Sequence, residues 1–320
     1  MDINAPNLSL IFQSAANNFQ SALETSQVIY PEISTPLPVT TRQFIQAFLD
    51  RVPQLRKWIG NRVVHSAFAH SRVINIEPYE HTLSLSKWDV IDDMLGLFAM
   101  GVKMQGEAAA KHPDLLLWEF IKIAASTAAL GYDGVPVYST AHPLLGGVAG
   151  GLPPGAPAAQ SNLYLNTALT WQNYNTVRSA MLSLKGADGA PMGVMPNVLM
   201  VPPQLETTAR QIVEADFRPV EGVNTAPATN TLKATTKVLV NQWASPWANN
   251  WWLLDTRSVV KPFATYELTP STFTYLTSPS DPNVFNLAEF LYGVERRAAV
   301  SETMWFLSAA ATSEAAYIAA

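Results

Sequence analysis

The residues of this chain best suited to chemistry are an adjacent pair of carboxylates, Asp92 and Asp93, and five histidines. Successive residues of a helix point about 100° apart, so Asp92 and Asp93 cannot hold a shared proton as a catalytic dyad. At the start of a helix they would complement its dipole, and otherwise they would serve a salt bridge or an ion site between subunits. We therefore favour a structural role or a subunit contact for this pair over a catalytic role.

The histidines lack the spacing of a catalytic metal site. No pair forms the HExxH pattern that binds zinc on one face of a helix, and on a strand His65 and His70 would face opposite sides. The full set is His65, His70, His81, His112 and His142. His112 and His142 each precede a proline, which is typical of turns. We predict no metal site.

Nucleophilic and nucleotide-binding motifs are also missing from the sequence. The chain has no cysteine and no serine within a GxSxG turn. The glycines of GGVAGG at 146–151 miss the GxGxxG spacing and run into Pro153, and the Walker pattern is absent. We predict no catalytic residue, no cofactor and no enzymatic activity. The competing interpretation is a hydrolase that uses His112 and Asp93.

Tryptophan and arginine clusters could contact a ligand. The four tryptophans at 243, 247, 251 and 252 could stack sugars or bases, but Pro246 and the run WWLLD favour a loop that enters a buried strand. Arg296 and Arg297 could touch DNA. Because adjacent residues of a strand point to opposite faces, one of them could instead pair with a carboxylate in a subunit contact. Both interpretations of the arginines stay open.

The composition is typical of an ordered protein with few surface charges. Hydrophobic residues make up 48% of the chain and charged residues 14%, against roughly 25% charged in typical domains. We infer that other subunits cover part of the surface. A net charge of -5 excludes the basic surface of a nucleic-acid-binding protein, so DNA nearby would be enclosed and not gripped. No apolar stretch reaches the roughly 18 residues of a membrane span, and residues 1–41 lack the Lys or Arg of a secretory signal.

The elements that would position these residues include both helices and strands. Leu8 to Leu23 has the periodicity of an amphipathic helix that needs a partner surface, and a proline-rich extended arm follows. Arg62 to Ser86 predicts a β excursion with too few large apolar residues for its own core. Trp88 to Ala110, and a second run opened by Pro113, predict a kinked helical rod of about 40 residues, roughly 60 Å long. Strands are predicted at 197–201, 237–240 and 251–254.

The chain contains six collinear stretches that together are specific: WIGNRVVHSAF (58–68), YEHTLSLSKWDVIDD (79–93), MLGLFAMGVKMQGEAAAKHPDLLLWEFI (94–121), GYDGVPVYSTAHPL (131–144), WWLLDTRSVVKPF (251–263) and EFLYGVERRAAV (289–300). In these stretches the chain resembles the Mu phage major head subunit family. That family is similar in fold to the Hong-Kong-97-type phage capsid proteins. The resemblance therefore implies an α+β fold with an N-terminal arm, an extended β-loop, a long spine helix, and peripheral and axial domains.

The resemblance also implies a division of the chain. The arm would be 1–39, and the first part of the peripheral domain 40–130, with the extended loop at about 55–86 and the spine helix at about 88–130. The axial domain would be 131–263, and 264–320 would return to the peripheral domain. No lysine lies between Lys57 and Lys87, so a shell locked by Lys–Asn bonds is not expected. The lack of a long charged helical prefix implies a separate scaffolding protein.

The function implied by the resemblance is that of a major capsid protein. Such a structural protein self-assembles as hexamers and pentamers into the icosahedral head shell of a bacteriophage, which encloses double-stranded DNA without sequence-specific binding. The implied partners are other copies of the chain, the scaffolding protein, a portal and a decoration protein, with no membrane. The protein would be made in the host cytoplasm and reside in the virion capsid. A nanocompartment shell, similar to encapsulins, is the competing interpretation of the same fold.

Contacts between subunits are expected at apolar residues of the first helix and at polar or aromatic residues of the loop, spine and last strands. The candidates are Leu8, Phe12, Phe19, Trp58, Arg62, His65, Arg72, Asp92, Asp93, Arg296 and Arg297.

Overall fold

A computed structural model describes residues 5–48, 70–92, 97–143, 159–186, 189–218 and 228–317. The helices are α1 Ala5–Thr25, α2 Tyr30–Ile33, α3 Lys87–Ile91, α4 Leu97–Ile123, α5 Trp171–Leu182, α6 Glu206–Val213 and α7 Pro282–Leu287. The strands are β1 Ser34–Pro38, β2 Gln43–Phe48, β3 His70–Asn75, β4 Glu77–Ser86, β5 His142–Pro143, β6 Ala159–Gln160, β7 Leu163–Tyr164, β8 Val198–Val201, β9 Phe217–Arg218, β10 Ala228–Thr229, β11 Lys237–Val240, β12 Asn250–Leu254, β13 Phe263–Leu276, β14 Glu289–Glu302 and β15 Ser308–Thr312. Short 3-10 turns lie at 203–205, 242–244 and 305–307.

A five-stranded sheet in the order β11-β8-β12-β15-β7 holds the larger apolar core. All four residues of β8 and all five of β12 are buried, which is typical of strands covered on both faces. Because successive side chains of a strand alternate between faces, Leu199 and Leu253 pack towards α5 and α6, whereas Met200 and Trp252 pack towards α4. The strands predicted at 197–201, 237–240 and 251–254 are confirmed.

A four-stranded sheet in the order β1-β13-β14-β4 forms the second layer. Its long strands β13 and β14 pair antiparallel over most of their length, and β4 continues the sheet on the far side of β14. Phe290, Tyr292 and Val294 of β14 face α1 and the first half of α4. This sheet gives α1 the partner surface that its amphipathic pattern requires.

The helix α4 joins the two layers. It is one α-helix from Leu97 to Ile123 with Pro113 inside it, so the prediction that Pro113 begins a second helix is wrong. At about 1.5 Å per residue it is roughly 40 Å long. A proline inside a helix removes a main-chain hydrogen bond. Val102 packs against the four-stranded sheet and Ile121 against the five-stranded sheet, so both halves of the helix are held by tertiary contacts.

Of the N-terminal 1–39 segment, expected as an arm, the described part, residues 5–39, lies on the body of its own chain. Phe12 and Phe19 of α1 stack on Tyr275 and Phe273 of β13. The segment then enters the four-stranded sheet as β1, which pairs parallel to β13. The carboxylate of Asp114 in α4 accepts hydrogen bonds from the main-chain amides of Ile29 and Tyr30, at 3.0 and 2.6 Å, and so fixes the start of α2.

The extended loop expected at about 55–86 divides between two sheets. β3 pairs antiparallel with β2 to form a two-stranded ribbon, with Phe48 opposite His70. β4 belongs instead to the four-stranded sheet, because Leu83 and Leu85 pack onto its apolar face. We call the β2–β3 pair the ribbon. The residues 49–69 between its strands lie outside the described residues.

The domain division expected at 131–263 and 264–320 stays a prediction. The sheets show one difference from it: Ser308–Thr312 pairs with β12 and β7 inside the five-stranded sheet, whereas the expected boundary groups it with β13 and β14. Small side chains allow this insertion, since Ala309, Ala310 and Ala311 fit between two packed layers.

Candidate assembly surfaces and a buried polar cluster

The ribbon carries apolar side chains on both of its faces. On the inner face Ile74 is buried and Phe44 packs against Tyr266 of β13, with ring centroids 5.3 Å apart. On the outer face Ile45 and Val73 are directly opposite each other and are 65% and 56% exposed. Opposed β-branched residues on a sheet face normally gain their stability from burial. The outer face of the ribbon is therefore a candidate contact surface.

A second apolar surface lies where β13 turns into β14. Tyr275 and Leu276 at the end of β13, and Phe285 and Leu287 of α7, are each at least half exposed. Side chains of this size are rarely left in a contiguous exposed group on a monomeric protein. This turn is the second candidate contact surface.

A groove of about 520 Å³ runs along α4 beside β4 and β14. Met104 and Trp243 stand at its sides and are exposed, whereas Gln105 on its floor is buried. The side-chain amide of Gln105 donates to the main-chain oxygens of His81 and Tyr292, both at 3.2 Å. Through these two hydrogen bonds Gln105 fixes α4 to β4 and β14 of the four-stranded sheet.

His112, named above for the hydrolase interpretation, lies in the wall of this groove against the ring of Tyr79. Burial lowers the pKa of His112, and the nearby charge of Arg296 lowers it further. Its proposed catalytic partner Asp93 lies outside the described residues. Nothing in the described geometry joins His112 to a carboxylate in the manner of a catalytic dyad.

The ribbon is tied to the body by a polar contact at its base. Gln46 of β2 and Arg72 of β3 are cross-strand partners. Their side chains both donate to the main-chain oxygen of Glu302, each at 3.1 Å. Arg72 also donates to the main-chain oxygen of Leu130 at 2.6 Å. The ribbon thereby bridges the end of β14 and the loop that follows α4.

Beneath this contact lies a buried histidine and carboxylate pair. His142 Nδ1 is 2.5 Å from Asp133 Oδ2, and both side chains are fully buried. His142 Nε2 is 2.9 Å from Asn162 Oδ1, and the imidazole stacks on Trp305 with centroids 4.2 Å apart. Both ring nitrogens are thus occupied by protein acceptors. Within the described residues no serine hydroxyl bonds to this imidazole, so the pair is arranged to pack and not to activate a nucleophile.

The carboxylate of Glu302 lies in the same cluster and is only 1% exposed. Its Oε1 is 4.0 Å from Arg72 Nη1, which is too long for a hydrogen bond. Burial raises the pKa of Glu302 to about 7, although the charge of Arg72 works in the opposite direction. Sequence periodicity offers no signal for this cluster, because its members come from positions 72, 133, 142 and 302.

The predicted contact residues do not gather into one patch. Phe12 and Phe19 are buried within the chain, and Arg72 binds at the ribbon base. Arg296 and Arg297 are opposite Tyr79 and Pro78 on β4, and Arg296 pairs with Glu267 at 2.8 Å. The arginine neighbours thus point to opposite faces, and one of them does meet a carboxylate, within the same chain.

The remaining residues singled out in the sequence lie at helix ends, in the apolar cores, beside the groove or outside the described residues. Asp92 directly follows α3, at the end of a helix and not at the start that the sequence suggested. Leu8 belongs to α1, but its side chain is not described. Trp58, Arg62, His65 and Asp93 lie outside the described residues. Of the four tryptophans, three are buried in the apolar cores, and Trp243 lines the groove.

The described residues include neither a candidate metal centre nor a membrane-spanning helix. Within them no group of three histidine or acidic residues could hold a metal ion. Among the described helices, none is both long and apolar enough to span a bilayer.

Among the known proteins that this chain resembles are head subunits and capsid proteins of Mu-like phages. The profile of the family described as Mu-like prophage major head subunit gpT matches residues 8–166, 147–244 and 241–318. The major capsid protein of Escherichia phage Mu is 28% identical over 150 residues, which are 47% of this chain and 48% of that protein. The Mu-like prophage FluMu major head subunit of Haemophilus influenzae is 28% identical over 140 residues, 44% of this chain and 45% of that protein. Each match spans about half the length of the curated relative.

A solved structure extends the comparison to the whole fold. A chain from the procapsid of bacteriophage JBD30 superposes with a TM-score of 0.60 at 25% identity, covering 97% of this chain and 76% of that chain. The expectation of an α+β fold of the Hong-Kong-97 type is confirmed.

Proposed function

Since the chain belongs to the Mu-like prophage major head subunit family, whose profile matches residues 8–318 in three overlapping segments, we propose that it is the major capsid protein of a Mu-like phage. The family match over most of the chain is the observation that carries this proposal. In this role the protein forms the shell of the phage head and resides in the virion capsid after synthesis in the host cytoplasm.

The exposed apolar surfaces support an assembly role on physical grounds. Ile45 and Val73 on the ribbon, and Phe285 and Leu287 at the β13–β14 turn, are each more than half exposed. Burying such side chains against another subunit contributes roughly 25 cal/mol for each Å² of apolar area removed from water. Repetition of modest contacts by symmetry makes a closed shell stable.

The same proposal includes the organisation of the shell and its partners. Hexamers and pentamers of this chain enclose double-stranded DNA, with a separate scaffolding protein, a portal and a decoration protein. The net charge of -5 fits a shell that encloses DNA without gripping its phosphates.

The proposal also assigns no catalysis to the chain. The buried His142–Asp133 pair is the closest arrangement to catalytic machinery in the described residues, and it is fully enclosed. The family match favours a phage head subunit over both the nanocompartment shell and the hydrolase.

The experiment is electron microscopy of particles formed by the expressed chain, alone and with the neighbouring genes of its genome. A matched variant replaces residues 49–69 by Asn-Gly, the two-residue sequence that best closes a hairpin. The replacement suits this site because Phe48 and His70 are register partners on β2 and β3. We expect closed shells from the natural chain and folded but unassembled subunits from the variant.

Each outcome decides a different part of the proposal. A natural chain that stays monomeric with all its genomic neighbours present would refute the capsid function. Normal shells from the variant would refute the role of the extended loop while leaving the capsid function in place. Particles that enclose a protein cargo in place of DNA would favour the nanocompartment.

A further inference from the structure

We propose that Glu302 couples the docking of the ribbon to proton binding: the neutral carboxylic acid accompanies the docked ribbon, and ionisation of the acid favours its release from the body. The ribbon would thus be a proton-linked element built into the subunit itself. This inference concerns a single chain, so it does not depend on the capsid function.

The first support is the way in which the ribbon is attached. Gln46 and Arg72 lie opposite each other and converge on the main-chain oxygen of Glu302. Ser301 adds a hydrogen bond from its hydroxyl to Gln46 Oε1 at 3.0 Å. The polar attachment of the ribbon is therefore centred on the residue whose own side chain lies buried beneath it.

The second support is the isolation of the carboxylate. Glu302 is 1% exposed, and neither of its carboxylate oxygens accepts a hydrogen bond from a side chain in the described residues. The main chain of Gly131 covers it closely, since a Cβ at that position would lie 3.0 Å from Glu302 Oε1. A carboxylate that lacks side-chain hydrogen bonds is costly to bury in its charged form.

The third support is the balance of the charges that face Glu302. These titratable and charged groups are Arg72 of β3, Asp133 and Tyr138 of the loop after α4, His142 of β5, and Tyr266 of β13. Arg72, His142 and a hydrogen bond from the main chain of Tyr132 favour the ionised acid, and Asp133 opposes it. Burial outweighs them and raises the pKa of Glu302 to about 7.

The direction of the effect follows from linkage. Release of the ribbon removes the charge of Arg72, and this removal raises the pKa of Glu302, but release also admits water, which lowers this pKa. Because burial is the larger of the two effects, the pKa of the carboxyl returns towards its ordinary value of 4.5. The docked state therefore binds more protons than the released state between these two pH values. Docking is strongest below pH 4.5 and weakens as the pH rises towards 7, by at most about 300-fold if release hydrates the carboxylate fully.

The test uses thiol labelling, because the natural chain contains no cysteine. Ile74→Cys places one thiol on the inner face of the ribbon, where the native side chain is 7% exposed. Its labelling rate is measured from pH 5 to pH 8 and divided by the rate of an unstructured peptide thiol, with light scattering to confirm one assembly state throughout. The same substitution is made in the Glu302→Gln background, whose side chain cannot ionise.

A matched control reports opening of the whole subunit. Ala124→Cys places the thiol in the fully buried core at the end of α4, far in sequence from the ribbon. We expect the normalised rate at position 74 to rise at least about 10-fold between pH 5 and pH 8, against less than about 3-fold in the Glu302→Gln background and at position 124.

Three results would overturn the proposal: a flat profile at position 74, an equal rise in the Glu302→Gln background, or a parallel rise at position 124. If Ile74→Cys prevents folding, hydrogen exchange of the amides in 43–48 and 70–75 decides the question in the chain without cysteine. If the ribbon amides lose protection as the pH rises, and Glu302→Gln abolishes that loss, the coupling is supported. If the protection of these amides does not change with pH, the coupling is refuted.

Discussion

The guanidinium of Arg72 lies 4.0 Å from the carboxylate of Glu302 but donates to the main-chain oxygen of the same residue at 3.1 Å. The ribbon is thus held by a neutral acceptor, while the acidic side chain below it accepts no hydrogen bond from a side chain in the described residues. The ionised form of Glu302 therefore destabilises the folded chain, and replacing its ionisable group should remove this destabilisation.

Glu302→Gln should stabilise the folded chain at neutral pH. Because the folded pKa of this acid is raised to about 7 from 4.5, the natural chain loses stability as the pH rises from 4.5 through 7. The full loss corresponds to roughly 3 kcal/mol at 1.36 kcal/mol per pKa unit. Chemical unfolding of the unassembled chain should show a gain of about 1 to 3 kcal/mol for the variant at pH 8.

At pH 4 the gain should vanish, because Glu302 is then protonated in the folded and the unfolded chain alike. Glu289→Gln, which changes a partly exposed acid bonded to Ser84 at 2.8 Å, serves as the control. A stability difference for Glu302→Gln that does not change with pH would contradict the assignment.

Gly106→Ala should destabilise the fold. A Cβ at Gly106 would lie 2.6 Å from the main-chain oxygen of Phe19 and 2.9 Å from Ala22 Cβ, so α1 could not stay in contact with α4. Since overpacking costs typically 1–3 kcal/mol, we expect the free energy of unfolding to fall by about that amount. Thermal unfolding measures the change.

Gly101→Ala on the same helix is the matched control. Its Cβ would have Leu83 Cδ2 as its nearest neighbour, at 3.8 Å, which is ordinary contact. Ala has a higher helix propensity than Gly, so this variant should gain up to about 1 kcal/mol. Equal effects of the two substitutions would show that α1 does not pack on α4 as described.

Replacing Ile45 and Val73 together by Thr should prevent shell formation without unfolding the subunit. Thr keeps the branched shape that suits a strand but places a hydroxyl in the proposed contact. Light scattering and electron microscopy should show subunits in place of particles, with a circular dichroism spectrum like that of the natural chain. Val259→Thr, at a fully exposed position outside the ribbon, should assemble normally.

His142→Ala should cost stability and not remove an activity. The change leaves Asp133 buried without its partner, and breaking a buried pair in this way typically costs about 3–5 kcal/mol. His81→Ala, at an exposed histidine, should be nearly neutral. Hydrolysis by the natural chain that only His142→Ala abolishes, with folding intact, would contradict a purely structural role for the His142–Asp133 pair.

Local sequence was sufficient for the elements whose burial follows a simple period. The pattern of Leu8 to Leu23 predicted α1, and the apolar runs at 197–201 and 251–254 predicted β8 and β12. The family resemblance supplied the fold class, which the superposition confirms. The low helix propensity of Pro113 wrongly predicted a second helix that begins there. Tertiary packing at both ends of α4 outweighs the one main-chain hydrogen bond that the proline removes.

By itself, then, the sequence determined the helices and strands with strong periodicity, the scarcity of charge and the family. Only the tertiary structure decided that β1 and β15 join their sheets, that the ribbon is docked through Gln46 and Arg72, and that Glu302 lies buried beneath them. The physical reason is the sequence separation of the contacts. Periodicity shows which side of a single element is buried, whereas the polar contact of Gln46, Arg72 and Glu302 forms only when segments distant in sequence meet.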